Sequence, residues 1–168
     1  SISFFSNAYA IKLNINSKSP PERYAIALLP HRCYKKGLKK GIHMSTIDGL
    51  LQGYQQFRDK YAKGDQSIMQ TLAQRGQSPK VMVVACCDSR VDPALILQCD
   101  PGDLFVVRNV ANIIPPYERD NAHHGTSAAL EFAIRVLKID HLVILGHSQC
   151  GGILALLNKA PLQPNDFI

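Results

Sequence analysis

The stretch VMVVACCDSRVDP, residues 81–93, decides the fold. Residues 81–85 form an unbroken apolar run that reads as a strand buried on both faces, as in a parallel sheet. The run stops abruptly in two cysteines, an aspartate, a serine and an arginine. Pro93 then suits the first turn of a short helix reaching Leu97. Such a polar cluster marks either a strand end meeting solvent or a place where something is bound.

Outward from this stretch the same grammar repeats. "CDPGD" (99–103) is a turn and "LFVV" (104–107) a second buried strand. Residues 109–125 are irregular and carry Pro115 and Pro116, and residues 126–137 have the spacing of an amphipathic helix. "HLVIL" (141–145) is a third buried strand, after which "HSQCGG" (147–152) opens a helix running to Asn158. Upstream, Ile47, Leu50, Leu51, Tyr54, Phe57, Arg58 and Tyr61 recur at three- and four-residue spacing, with Ser45 or Thr46 as N-cap. A second short helix spans 67–75 and is ended by Gly76. Short apolar strands alternating with helices predict an α/β fold: a mainly parallel β-sheet flanked by helices, with an N-terminal helical arm.

The 168 residues suffice for one domain with a real core. No apolar stretch reaches the roughly 20 residues of a membrane-spanning helix. The net charge of +6 is unevenly spread. Residues 1–43 hold eight Lys/Arg against a single acid, Glu22, whereas residues 44–168 hold eleven basic and twelve acidic side chains. The near-neutral body gives no case for nucleic-acid binding. Residues 1–43 read as a basic extension, disordered or not native to the protein: a tail, an organelle-targeting segment, or sequence upstream of a start at Met44. The chain ends at "PNDFI" with no stop signal, which reads as a C-terminal truncation. Five cysteines (Cys33, Cys86, Cys87, Cys99, Cys150) make a poor disulfide framework and suit a reducing, cytoplasmic compartment.

Two strands run out into chemistry-bearing residues: Cys86-x-Asp88-Ser89-Arg90 and His147-x-x-Cys150. In open α/β sheets ligands sit beyond the carboxyl ends of the strands. If the two strands are neighbours, Cys86, His147 and Cys150 converge as two thiolates and an imidazole, a donor set for a catalytic metal with one open position. Taken singly, each residue has a plain alternative, since a buried cysteine commonly serves as a small hydrophobe. Asp88 and Arg90 are spaced for a guanidinium fork on a carboxylate; the plain alternative is an ion pair at a turn. Cys87 reads as a bystander, Arg108 and Asn109 as fixing backbone, and His123 and His124 as residues of a polar loop.

At this point the chain resembles the β-class carbonic anhydrases, through CxDSR (86–90), "PGDLFVVRNVAN" (101–112) and "GHSQCGG" (146–152). The resemblance covers residues 45–168, and "GQSPK" (76–80) is similar to the plant-type branch. It implies one Zn2+ per chain on Cys86, His147 and Cys150, with Asp88 as a fourth ligand in a closed state. It further implies reversible hydration of CO2 to bicarbonate and a proton through zinc-bound hydroxide, with the Asp88–Arg90 dyad as catalytic pair. Gln77 would reach substrate across a homodimer interface. Phe105, Val110 and Phe132 would line an apolar pocket, with Phe132 where the branch often has tyrosine, and Gly151 would offer its N–H to substrate. Two alternatives remain: hydrolysis of CS2 or COS on the same scaffold, or a zinc-binding domain without turnover. A redox role for vicinal Cys86 and Cys87 is weaker, because adjacent cysteines rarely pair without strain and CxxC is absent.

Overall fold

The computed structural model describes residues 10–14, 47–120 and 122–158. The chain divides into two units, Ser1–His31 with Pro79–Ile168, and Arg32–Ser78. The proposed caps at Ser45 and Thr46, the change of character near Met44 and the end of the chain lie outside the described residues.

The unit Arg32–Ser78 contains α1 (Ile47–Tyr61) and α2 (Ile68–Arg75). In α2 the Ser67 side chain accepts the Gln70 N–H at 3.2 Å. Gly76 ends the helix at φ 77°, a left-handed value that glycine adopts without a Cβ penalty. Both boundaries fall where the sequence pattern puts them. In α1 the apolar stripe is largely exposed, with Ile47, Leu51 and Tyr54 all more than half accessible.

The other unit is built on β2 (Val81–Cys86), with α3 (Pro93–Leu97), β3 (Leu104–Asn109), α4 (Gly125–Phe132), β4 (His141–Leu145) and α5 (Gly151–Leu157). A strand the sequence reading did not anticipate, β1 (Ala10–Asn14), pairs antiparallel with β4. The order is β1-β4-β2-β3, and β4, β2 and β3 are mutually parallel. β2 therefore has a strand on each side, and Met82, Val83, Val84 and Ala85 have no exposed surface. Alternation sends Met82 and Val84 to a cluster with Ala133, Ile139 and Leu142, while Val83 and Ala85 meet Leu145 on the opposite face. Full burial of each large side chain contributes about 1.5–3 kcal/mol, so β2 is the spine of the sheet.

Two expectations change. The strand 104–107 does not bury both faces: β3 is half-exposed along its length, and Val106 is 38% accessible. Among the described residues it is the edge of the sheet, with a hydrogen-bonded neighbour on one side alone. The helix expected over 126–137 is α4 followed by a π-helical turn, Ala133–Leu137, where the Lys138 N–H, and beyond it the Ile139 N–H, reach the Ala133 carbonyl. That wider turn accompanies the burial of both Ala133 and Ile139 in one cluster.

Beyond β3 a 3₁₀ turn, Val110–Asn112, packs against the start of α5. A Cβ on Gly152 would come within 2.9 Å of both Ala111 Cβ and Val110 Cγ1, whereas one on Gly151 meets nothing within 4 Å. Gly152→Ala is expected to destabilise the chain by about 1–3 kcal/mol. Gly151→Ala should stay within about 0.5 kcal/mol of the parent. Urea midpoints of the two variants measure the difference.

Candidate metal centre

β2 and β4 are adjacent and parallel, with Ala85 opposite Leu145. Cys86 ends β2 at the level where the chain leaves β4 through Gly146 into His147, and Cys150 is the N-cap of α5. The turn between His147 and Cys150 carries Gln149 in the left-handed region, φ 53°, a conformation that costs a non-glycine residue of order 1–3 kcal/mol. The expectation that the two strands are neighbours is met.

The ligand atoms of Cys86, His147 and Cys150 lie within 4.8 Å of one another, and all three residues are buried. The Cys86 and Cys150 Sγ atoms are 3.8 Å apart. Two sulfurs of a tetrahedral centre with metal–sulfur bonds near 2.3 Å stand about 3.8 Å apart. His147 Nδ1 is 3.0 Å from the Ser148 carbonyl. A carbonyl only accepts, so Nδ1 carries the proton and Nε2 presents a lone pair. That Nε2 is buried and has no hydrogen-bond partner in the protein. An unsatisfied buried polar atom costs about 1–3 kcal/mol, and a cation at this point would remove the cost. The donor set and its spacing fit a metal ion.

Burial pushes the Cys150 thiol up; the Ile153 amide works against this, and the nearby Cys86 sulfur adds to the rise. Two thiolates so close together need a positive charge between them to stay ionised.

Asp88 and Arg90 form the expected fork. Arg90 Nε donates to Asp88 Oδ1 at 2.8 Å and Nη2 to Oδ2 at 2.7 Å, and the Arg90 backbone N–H adds a third bond at 3.0 Å. These side-chain and backbone bonds from Arg90 hold the Asp88 carboxyl well below the usual carboxylate range. Asp88 Oδ2 stands 3.8 Å from His147 Nε2, so the carboxylate borders the metal-binding group. Arg90 Nη2 also reaches the carbonyl of the strained Gln149 at 3.5 Å, tying the two motifs together.

Below this layer, Asn109 braces the 3₁₀ turn. Its side-chain amide donates to the Ile113 carbonyl and Thr126 Oγ1, its Oδ1 accepts the Ile113 N–H, and its carbonyl accepts the Cys87 N–H. Cys87 itself is exposed.

The remaining site residues are divided. Val110 and Gly151 flank Gly152 at the metal end of the sheet. Phe105 and Phe132 stack on each other, with ring centroids 5.9 Å apart. Phe105 lies opposite Met82, four residues upstream of Cys86 and therefore about 13 Å down the strand. Within one chain the expected trio does not form a single wall. Gln77 is exposed and belongs to the unit Arg32–Ser78.

A second group, Glu118, Asp120 and His124, also has its ligand atoms within 4.8 Å. There His124 Nε2 is committed to Asp120 at 2.8 Å, and the two acids are exposed. The buried group with an orphaned imidazole nitrogen is the stronger candidate for a metal. Gly152 and the strained Gln149 escaped the sequence reading; the Gly-Gly doublet after Cys150 was the available signal.

Comparison with known proteins gives a consistent answer. The carbonic anhydrase family profile matches residues 81–168. A carbonic anhydrase of Synechocystis sp. is 44% identical over 114 residues, 68% of this chain and 40% of that protein. The solved β-carbonic anhydrase CcaA is 44% identical with a TM-score of 0.57, covering 66% of this chain and 52% of the other. One of two tetrameric β-carbonic anhydrases of Sordaria macrospora is 33% identical with a TM-score of 0.54, covering 70% and 53%. The chain belongs to the carbonic anhydrase family, in its β class. It spans about two fifths of the length of the curated relatives it matches. No helix among the described residues is long and apolar enough to cross a membrane.

Removing the guanidinium in Arg90→Gln should return the Asp88 carboxyl toward the ordinary value near 4, readable by carboxyl 13C NMR titration. A carboxyl depressed by folding stabilises the protein above its unfolded pKa and loses that effect as pH falls through the folded value. The stability lost in Arg90→Gln is therefore expected to be full at pH 7 and to shrink below about pH 4.

Proposed function

We propose that this chain carries the catalytic centre of a zinc-dependent enzyme that reversibly hydrates CO2 to bicarbonate and a proton. The observation that supports it most is the buried trio of Cys86, His147 and Cys150, with an unpartnered imidazole lone pair, bordered by an Asp88 carboxylate that Arg90 keeps ionised.

Cys86, His147 and Cys150 would hold the zinc. Bound there, zinc supplies the Lewis acidity that makes water a nucleophile at neutral pH. Asp88, acceptor-only while ionised, takes a hydrogen bond from the attacking oxygen and aims its lone pair at carbon. Arg90 engages both carboxylate oxygens of Asp88, and a carboxylate held in this way would leave one position on the metal open. Val110, half-exposed beside Ala111 and Gly152, gives apolar CO2 a wall of matching polarity. The Gly151 N–H, at the first residue of α5, serves a product oxygen.

Phe105 is too far along its strand to serve the site of its own chain and Phe132 packs on it, so we assign the two, with Gln77, to the site of a second copy. The tetrameric relative supports a homo-oligomer built on such a dimer. Cys87 and Cys99, outside the metal-binding group and not paired in a disulfide, support a reducing, cytoplasmic setting.

Purified protein should contain one zinc per chain and hydrate CO2, and Cys86→Ser should lose the metal and fall to the uncatalysed rate. Elemental analysis and stopped-flow CO2 hydration make the check. Stoichiometric zinc without CO2 turnover refutes the activity, and assays with CS2 and COS then identify the substrate. Folded protein without zinc refutes the metal centre.

A further inference from the structure

The loop that carries Cys86 and Asp88 is held by a side chain from the neighbouring strand. Arg108, in β3 opposite Ala85, is half-buried and spends three donors on this one loop. Its Nε donates to the Cys86 carbonyl at 3.0 Å and its Nη2 to the Asp88 carbonyl at 2.8 Å. Its Nη1 meets Asp92 Oδ2 at 3.0 Å. Asp92 in turn caps α3 through its other oxygen, Oδ1, which accepts the Ala94 and Leu95 N–H groups. One rigid, planar guanidinium thus grips the loop at residues 86, 88 and 92, spanning a metal-binding cysteine and the acid of the dyad.

Resting on the metal-centre reading above, we infer that Arg108 is a positioning residue: its clamp on the Cys86 and Asp88 carbonyls sets the directions in which the Cys86 thiolate and the Asp88 carboxylate point. The peptide that joins Cys86 to Cys87 is also tied to β3, by the Cys87 N–H on the Asn109 carbonyl. Asp88 is fixed at its side chain by Arg90, yet its carbonyl is held by the Val91 N–H and Arg108. Losing the guanidinium removes the side chain that ties the Cys86 carbonyl to the Asp88 carbonyl, while the Arg90 and Val91 bonds to Asp88 remain. Lysine offers a point charge where arginine offers a fork, and it cannot make all three bonds at once.

The test uses the full chain titrated with Co2+ against a competing chelator, following the thiolate-to-cobalt charge-transfer band. Arg108→Gln is expected to bind Co2+ about 10–100-fold more weakly, the loss typical of removing a group that orients metal ligands. Its band should shift and weaken per bound ion, a change that lost stability alone would not produce. Arg108→Lys should fall between parent and Arg108→Gln. Asp92→Asn keeps the helix cap but removes the charge facing Nη1, and is expected to lose about two- to tenfold in affinity with a band shift in the same direction. A folded Arg108→Gln with affinity within about twofold of the parent and an unaltered band overturns the inference. If Arg108→Gln does not fold, Asp92→Asn with unchanged affinity and band overturns it instead. A parent chain that binds no Co2+ refutes the metal centre itself, and this inference with it.

Discussion

Everything at the candidate metal centre depends on one constraint: the parallel pairing of β2 with β4, Ala85 opposite Leu145. It brings Cys86 and Cys150, 64 residues apart, to a sulfur–sulfur distance of 3.8 Å. Strand side chains alternate with a period of two, so a slip of one residue would turn Met82 and Val84 out of their cluster and rotate Cys86 away from His147. The fully buried residues of β2 prevent that slip. Core packing and site geometry are therefore one arrangement, because the apolar residues that fix the register also aim the ligands.

Around this pairing the polar groups form a graded scaffold. Arg90 grips the Asp88 side chain and touches the Gln149 carbonyl, Arg108 holds the loop backbone, and Asn109 holds the following turn. Each is an arginine or asparagine whose donors end on carbonyl, carboxylate or hydroxyl oxygens, as a chain must do where loops are partly shielded from water. The strained backbone at Gln149 and the close approach at Gly152 belong to the same scaffold. Both occur where α5 is pressed towards the 3₁₀ turn so that Cys150 reaches the cluster.

Much of this was legible in the residues. The apolar runs at 81–85, 104–107 and 141–145 became β2, β3 and β4, and the α2 boundaries at Ser67 and Gly76 follow from capping chemistry. Other features were not legible, for physical reasons. Ala10–Asn14 in the basic segment has Lys12 and Asn14 among its apolar residues rather than a continuous apolar run, and its pairing with β4 is non-local. The half-exposure of β3 depends on its place at the sheet edge among the described residues, which its own residues do not encode. The resemblance groups Phe105, Val110 and Phe132 in one pocket, and motif matching carries no distances within a single chain. Register separates Phe105 from the metal end by four residues.

By itself, the sequence determined the chemistry: which residues offer thiolate, imidazole and carboxylate, and that they sit at the ends of strands in an α/β protein. Those properties are local, carried by residue type and by spacing within a few positions. Only the tertiary structure decided that the two strands are neighbours, that His147 keeps a buried, unpaired nitrogen, and that Arg108 reaches the loop of Cys86 and Asp88. These depend on strand order and register, which arise from contacts between residues far apart in the chain, and no local pattern records them.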